Sequence, residues 1–286
     1  MTHIATKAML VDLRVSQWTA RKIDRKATSE VAANHQLAQN QGTYYKSLID
    51  GSALETVQKV VRSARDYHYR CTLPWSDAGP RALSSMGYFD YMQRIGEFKT
   101  EFDNAVAQLL GDYPLHRQEA KRLLGTLFNE DDYPTADVLA GKFDFRLNVL
   151  PLPCAGDFRV EIGEDELARV QAEIERTTTA TLTSAVGDAY QRVAKVLEAF
   201  IDRLAKPETV FRDSLVENAR DLAEVLPSLN LTADPQLDVI AKRLSQHLCQ
   251  HEPDRLRTDP HARKAAFNEA CAMHKDVLAF FTGALA

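Results

Sequence analysis

The run Leu182-Thr-Ser-Ala-Val186-Gly-Asp-Ala-Tyr190-Gln-Arg-Val193-Ala-Lys-Val-Leu197-Glu-Ala-Phe200-Ile-Asp-Arg-Leu204 carries large apolar side chains at intervals of 4, 4, 3, 4, 3 and 4 residues. That 3–4 rhythm is the face of an α-helix seated against a partner helix. Upstream, Leu167, Val170 and Ile174 open the same stripe, and threonines between Thr177 and Thr183 dilute it. The pattern predicts one helix over 164–205, stopped at Lys206-Pro207. Its regular part is too short to demand an extended supercoil, so an arm of an antiparallel helical hairpin fits equally well.

Working outward, helical periods recur on both sides. Ser52 and Glu55 have capping-box spacing ahead of a stripe of Leu54, Val57, Val61, Ala64 and Tyr67. From Tyr88, the residues Ile95, Phe98, Phe102, Ala105 and Leu109 form another, and Gly111 to Pro114 predicts a break before a helix over 115–128. A helix over about 207–226 follows the long one. Asp234-Pro235 and Asp259-Pro260 each read as an N-cap with proline at the first helical position, which predicts two closing helices near 235–250 and 260–283.

Strand-like alternation is confined to residues 9–15, 143–149 and 157–162, the last two forming a hairpin candidate. Ser16 suits the N-cap of a basic helix over 18–27, and 71–88, with Pro74, Gly79 and Pro80, reads as loop. The expected fold is mainly α: an elongated antiparallel helical bundle or coiled-coil hairpin with a small two- or three-stranded β element. Its expected regions are 1–163 and 164–286, possible as one continuous unit.

The 286 residues, 45% hydrophobic and 26% charged, suffice for a core without disulfides or structural metal. No stretch is apolar enough to span a bilayer, and the first residues show no secretory pattern, so a cytoplasmic protein is expected. Cys71, Cys154, Cys249 and Cys271 lie far apart and read as reduced thiols. The net charge of −5 is uneven: residues 1–100 hold 14 Lys and Arg against 9 Asp and Glu, and the rest 21 against 31.

That positive first third interleaves cations with rings. Arg21, Lys22, Arg25 and Lys26 cluster on the expected helix, and Arg62, Arg65 and Arg70 accompany Tyr67, His68, Tyr69 and Trp75, with Tyr44-Tyr45 nearby in sequence. Cations that track phosphates and rings that stack on bases are what single-strand binding requires. The plainer reading packs the rings into the core and solvates the arginines. His247, His251, Cys271 and His274 are four N/S donors for a tetrahedral metal, in a spacing that matches no common zinc module. The acidic turn Glu130-Asp131-Asp132 is a solvated turn or a cation site. Neither GxSxG nor a GxxxxGK[ST] phosphate loop is present. No catalytic residue and no cofactor is expected, and Arg212, Asp213 and Glu217 read as ion-pair partners for another helix.

Val31-Ala-Ala-Asn-His35, Tyr67-His-Tyr with Thr72-Leu-Pro-Trp75, Gly156-Asp-Phe-Arg-Val160, Phe211-Arg-Asp-Ser-Leu-Val-Glu-Asn218 and Leu229-Asn-Leu-Thr232 resemble an uncharacterised protein family of bacteriophages and integrative elements. The resemblance covers roughly residues 10–240. Members tend to be encoded near MoxR-type AAA+ ATPases, von Willebrand A-type proteins and recombination genes. The resemblance implies a mobile-element setting in a bacterial host cell and brings no catalytic residue with it. The leading expectation is a non-enzymatic binding protein, an accessory factor in DNA metabolism or a partner of a AAA+ ATPase or host factor. A homo-oligomer is compatible with it. A metal-dependent nuclease-like enzyme and an inhibitor of a host defence protein are the alternatives.

Overall fold

The computed structural model describes residues 2–38, 41–77, 79–206 and 212–283. In chain order these form α1 (Thr2–Ala5), β1 (Ala8–Ser16), β2 (Arg21–Ile23), α2 (Arg25–Asn34), β3 (Tyr45–Ser47) and α3 (Glu55–Cys71). Then come β4 (Leu73–Pro74), β5 (Arg81–Ser84), α4 (Tyr88–Leu124), α5 (Ala136–Ala140) and β6 (Asp144–Pro151). The remainder is helical: α6 (Glu164–Ala205), α7 (Ser214–Leu229), α8 (Pro235–Arg243) with a π turn over Leu244–Leu248, α9 (Pro253–Thr258) and α10 (Pro260–Gly283). The protein is mainly helical, with a four-stranded sheet in the order β4-β5-β1-β6 and a separate β2–β3 pair.

The contacts divide into two compact units: Met1–Asp12, His68–Tyr91 and Asn148–Ala286 form the first, Leu13–Tyr67 and Met92–Leu147 the second. In the first unit the stripe quoted above is buried from Val186 to Leu204. Its main partner is α10, not the next helix along the chain. The two run antiparallel, since Arg263 reaches the Leu204 carbonyl, His274 meets Glu198 and Phe280 stacks on Tyr190. Leucines of α7 and α8 complete this core. Asp234 and Asp259 cap α8 and α10 as expected, accepting from the backbone N–H groups of Gln236 and of His261 and Ala262.

The sheet departs from expectation in two places. Within the stretch expected as loop, Leu73–Pro74 and Arg81–Ser84 form a short antiparallel pair, Leu73↔Ala82 and Pro74↔Arg81, and β5 continues onto β1 through Leu10↔Ala82. Pro74 is tolerated because β4 is an edge strand, where its missing N–H costs no ladder bond. Conversely, 157–162 forms no strand and no hairpin with β6. β6 pairs with β1, and Gly163 (φ 85°) turns the chain directly into α6.

In the second unit the stripes of α3 and α4 are buried as read except for half-buried Tyr67, which packs on Phe98, and Phe102 packs on Phe145. The cap of the first turn is Asp50 rather than Ser52: its carboxylate accepts from both the N–H and the hydroxyl of Ser52. The expected break at 111–114 does not occur. α4 continues through exposed Pro114 because Tyr113 is anchored on both sides, edge-on to Trp18 and bonded to the Pro134 carbonyl. The helix expected over 18–27 is also absent. Ala20 has φ 51°, which ends helical propagation, and the helix starts only at Arg25, capped by Asp24. Of the helix expected over 207–226, residues 207–211 lie outside the described set, and the described part runs to Leu229 through Pro227.

Candidate nucleic-acid interface

Arg21–Ile23 became a strand because three residues of it pair antiparallel with Tyr45–Ser47: Arg21↔Ser47, Lys22↔Lys46 and Ile23↔Tyr45. Alternation then sorts the side chains by face. Lys46 is inward and only 5% exposed. Its ammonium meets Asp24 at 2.9 Å, Asp132 at 2.7 Å and the Leu127 carbonyl at 2.7 Å. Lys22 closes the set on Asp132 at 2.7 Å. Burial alone would depress the Lys46 pKa, but the two carboxylates outweigh it and raise it above the ordinary lysine value. Asp24 is lowered, chiefly by the Ala27 N–H and then by Lys46. Asp132 is lowered too: burial would raise it, but hydrogen bonds from Lys22 and Lys46 prevail.

The opposite face of the pair carries Arg21, Ile23, Tyr45 and Ser47, all exposed. Ile23 is 48%, Tyr45 58% and the adjoining Tyr44 41% exposed. The Tyr44 N–H bonds to Thr28 Oγ1 and its carbonyl accepts from the Asp24 N–H, which ties these rings to the first turn of α2. Arg25 and Lys26 of that turn are exposed. Neither they nor Arg21 has a carboxylate partner among the described residues. Residues 18–47 hold five Lys and Arg against two Asp and Glu, whereas the whole second unit holds 16 against 15. Positive charge is therefore local to this ribbon rather than a property of the unit.

The other expected residues lie apart from it in role. Arg62 and Arg65 are exposed on α3, and Arg65 donates to the Val15 carbonyl. Tyr69, Arg70 and Trp75 belong to the first unit. Arg70 pairs with Asp221, Trp75 is half-buried against the first core, and Tyr69 lies beneath the Arg81 guanidinium at 4.8 Å. The plainer reading thus holds for Trp75 and fails for Tyr44 and Tyr45. Sequence reasoning missed Ile23 and the Lys46 base, because three-residue strands leave too short an alternation to detect.

Beside Tyr69, the first unit buries a polar network. Arg81 and Arg192 both donate to the Thr72 carbonyl, at 3.0 and 2.8 Å, and Arg192 is paired with Asp188. His68 Nδ1 lies 2.7 Å from the Tyr91 hydroxyl. Burial, then the positive charge of Arg81, drives the His68 pKa down to about 4, against a weaker pull from Asp12. The folded imidazole therefore resists a proton that the unfolded chain accepts near pH 6.5, so stability rises with pH across that window. Unfolding midpoints are expected to fall as pH drops from about 6.5 towards 4, and His68→Gln should flatten that slope. An unchanged slope in a urea series would disprove the assignment.

The candidate metal donors are not gathered. His247 sits in the π turn, and His251 follows in the loop beyond it. His274 faces Glu198 on α6 at 3.3 Å, and Cys271 is half-buried on α10. No three His, Cys, Asp or Glu side chains are grouped to hold a metal among the described residues. Asp213 finds a partner on another helix, as its charge pattern implied, in Arg257 of α9. No helix of the described residues is long and apolar enough to cross a membrane. No protein family, curated protein or solved structure matches the chain.

Proposed function

We propose that the chain is a binding protein that holds single-stranded nucleic acid on the β2–β3 ribbon, as a non-enzymatic accessory factor in DNA metabolism. The observation that carries this reading is the exposure of Ile23, Tyr44 and Tyr45 beside Arg21, Arg25 and Lys26. Bases stack on such rings without sequence preference, and each cation that replaces a counterion makes binding salt-dependent. The Lys46–Asp24–Asp132 base beneath supplies the rigidity: the rings are presented on an ordered strand pair, so little entropy is lost when a base lands on them. The bacteriophage or integrative-element setting, and a AAA+ ATPase or host factor as protein partner, rest on the sequence resemblance and belong to the same proposal.

Fluorescence anisotropy with a labelled single strand of about 20 nucleotides tests it. Binding is expected at about 50 mM salt and should weaken steeply as salt rises. Tyr45→Ala should cost about 1–3 kcal/mol for the lost stack. Replacing Arg21, Arg25 and Lys26 together by alanine should make the salt slope shallower by about 2. No anisotropy change at low salt, or binding indifferent to both variants, would overturn the proposal. Cleavage of the strand on adding a divalent metal would favour the nuclease alternative instead.

A further inference from the structure

The threonines that dilute the α6 stripe coincide with a cavity. Thr179, Leu182, Thr183 and Val186, spaced as one helical face, line a space of about 510 Å³ in the first unit. Leu231, Thr232 and Asp234 from the α7–α8 connection, Phe280 of α10, and Ile4 and Lys7 form its other walls. Further along α6, from Tyr190 to Leu204, the same face is sealed by neighbouring helices. Over Thr179–Val186 it fronts open space, and that is where the sequence exchanges large apolar residues for threonine.

Its polar groups are unequal. The Asp234 carboxylate is engaged by the Tyr190 hydroxyl at 2.8 Å and the Gln236 N–H at 2.9 Å. Burial and that carboxylate raise the Tyr190 pKa, so the phenol keeps its proton and the bond. The Thr179 and Thr183 hydroxyls donate back to the carbonyls of Glu175 and Thr179 on their own helix. An apolar chain lying over them therefore strips no donor of its partner. Lys7 is exposed, and among the described residues its ammonium has no carboxylate partner and is the one cation in the lining.

From this geometry we infer a binding site for an amphipathic carboxylate: an unbranched apolar chain on Leu182, Val186, Leu231 and Phe280, with its headgroup paired to Lys7. The volume lies within the range of about 300–1,000 Å³ typical of small-molecule sites. The ribbon of the second unit takes no part, so this inference and the nucleic-acid reading stand or fall separately.

Isothermal titration of the full chain with decanoate, decanol and decylamine, each below its micelle concentration, tests it. Decanoate should bind saturably and more tightly than the other two. Lys7→Gln should weaken decanoate about three- to fivefold, the worth of an exposed ion pair, and leave decanol unchanged. Thr183→Trp places a ring in the cavity from an exposed position and should abolish binding of all three while the circular dichroism stays unchanged. Should Thr183→Trp disturb the fold, Lys7→Glu provides the second variant and should weaken decanoate more than Lys7→Gln. Absence of saturable binding, decylamine binding tighter than decanoate, or affinity indifferent to Thr183→Trp in a folded variant would each overturn the assignment.

Discussion

Phe200→Ala is expected to lower the unfolding free energy by about 3–5 kcal/mol, the range for removing a fully buried aromatic ring. Phe200 is wholly inaccessible, within the α6 face that also buries Leu197 and Leu204. The hole left behind has little to collapse into it. The buried positions of α10 begin with Ala262, Ala266 and Ala270, which have no side chain to extend into a void. Backbone movement is restrained as well, because Arg263 donates to the carbonyls of Arg203, Leu204 and Lys206 and fixes the end of α6. A cavity that cannot relax costs the most. Leu182→Ala, at the half-buried edge of the same face, should cost far less. Urea unfolding of the two variants checks the contrast, and equal losses would refute this account of the seam.

Lys46→Met should destabilise the second unit through charge rather than through lost packing. The substitution keeps the length of the stem and removes the charge, leaving Asp24 and Asp132 facing one another in a space where each is at most 10% exposed. Removing one member of a buried ion pair costs about 3–5 kcal/mol, and half-exposed Lys22 screens part of it, so about 2–3 kcal/mol is expected. The pH dependence separates this from lost packing. In the native chain both carboxylates are held below 3.8, and their contribution is present above that value and lost as pH falls through their depressed folded values. Lys46 is raised above 10.5, so its own contribution persists until pH climbs past that value. In Lys46→Met the repelling carboxylates take up protons more readily. The deficit should therefore shrink as pH is lowered from 7 towards 4, whereas a packing defect would stay constant.

What could be read in advance follows from the length of each pattern. The 164–205 helix was legible to its end residues because the regular stripe of Leu182–Leu204, about six turns, outweighs the diluted half before it and Lys206-Pro207 marks its stop. Short elements were not. β2 and β3 are three residues each, and their partners are about 24 positions apart, so pairing rather than local preference decided them. The 158–162 segment shows the reverse: it alternates like a strand, yet it joins no sheet, and Val160 and Ile162 are left exposed. Pro74 and Pro114 both misled. The first sits on a sheet edge, where its missing N–H costs no ladder bond, and the second loses its i→i−4 bond inside a helix that the anchoring of Tyr113 holds together. At the candidate site the charges were legible and the surface was not. Nothing local distinguishes Tyr45, which is exposed, from Tyr91, which is sealed against His68.

The chain enters the second unit twice, through residues 13–67 and 92–147, and returns to the first unit each time. During ribosomal synthesis every residue of the second unit has been made once Leu147 is added, before α6 begins at Glu164. The first unit lacks α10 until Pro260–Gly283 has been made, and the α6 face that α10 covers, from Tyr190 to Leu204, stays bare until then. Slow elongation between Ala205 and Pro260 would thus lengthen the life of one long greasy helix, and the nascent chain is most in need of a chaperone there, not at its β-strands.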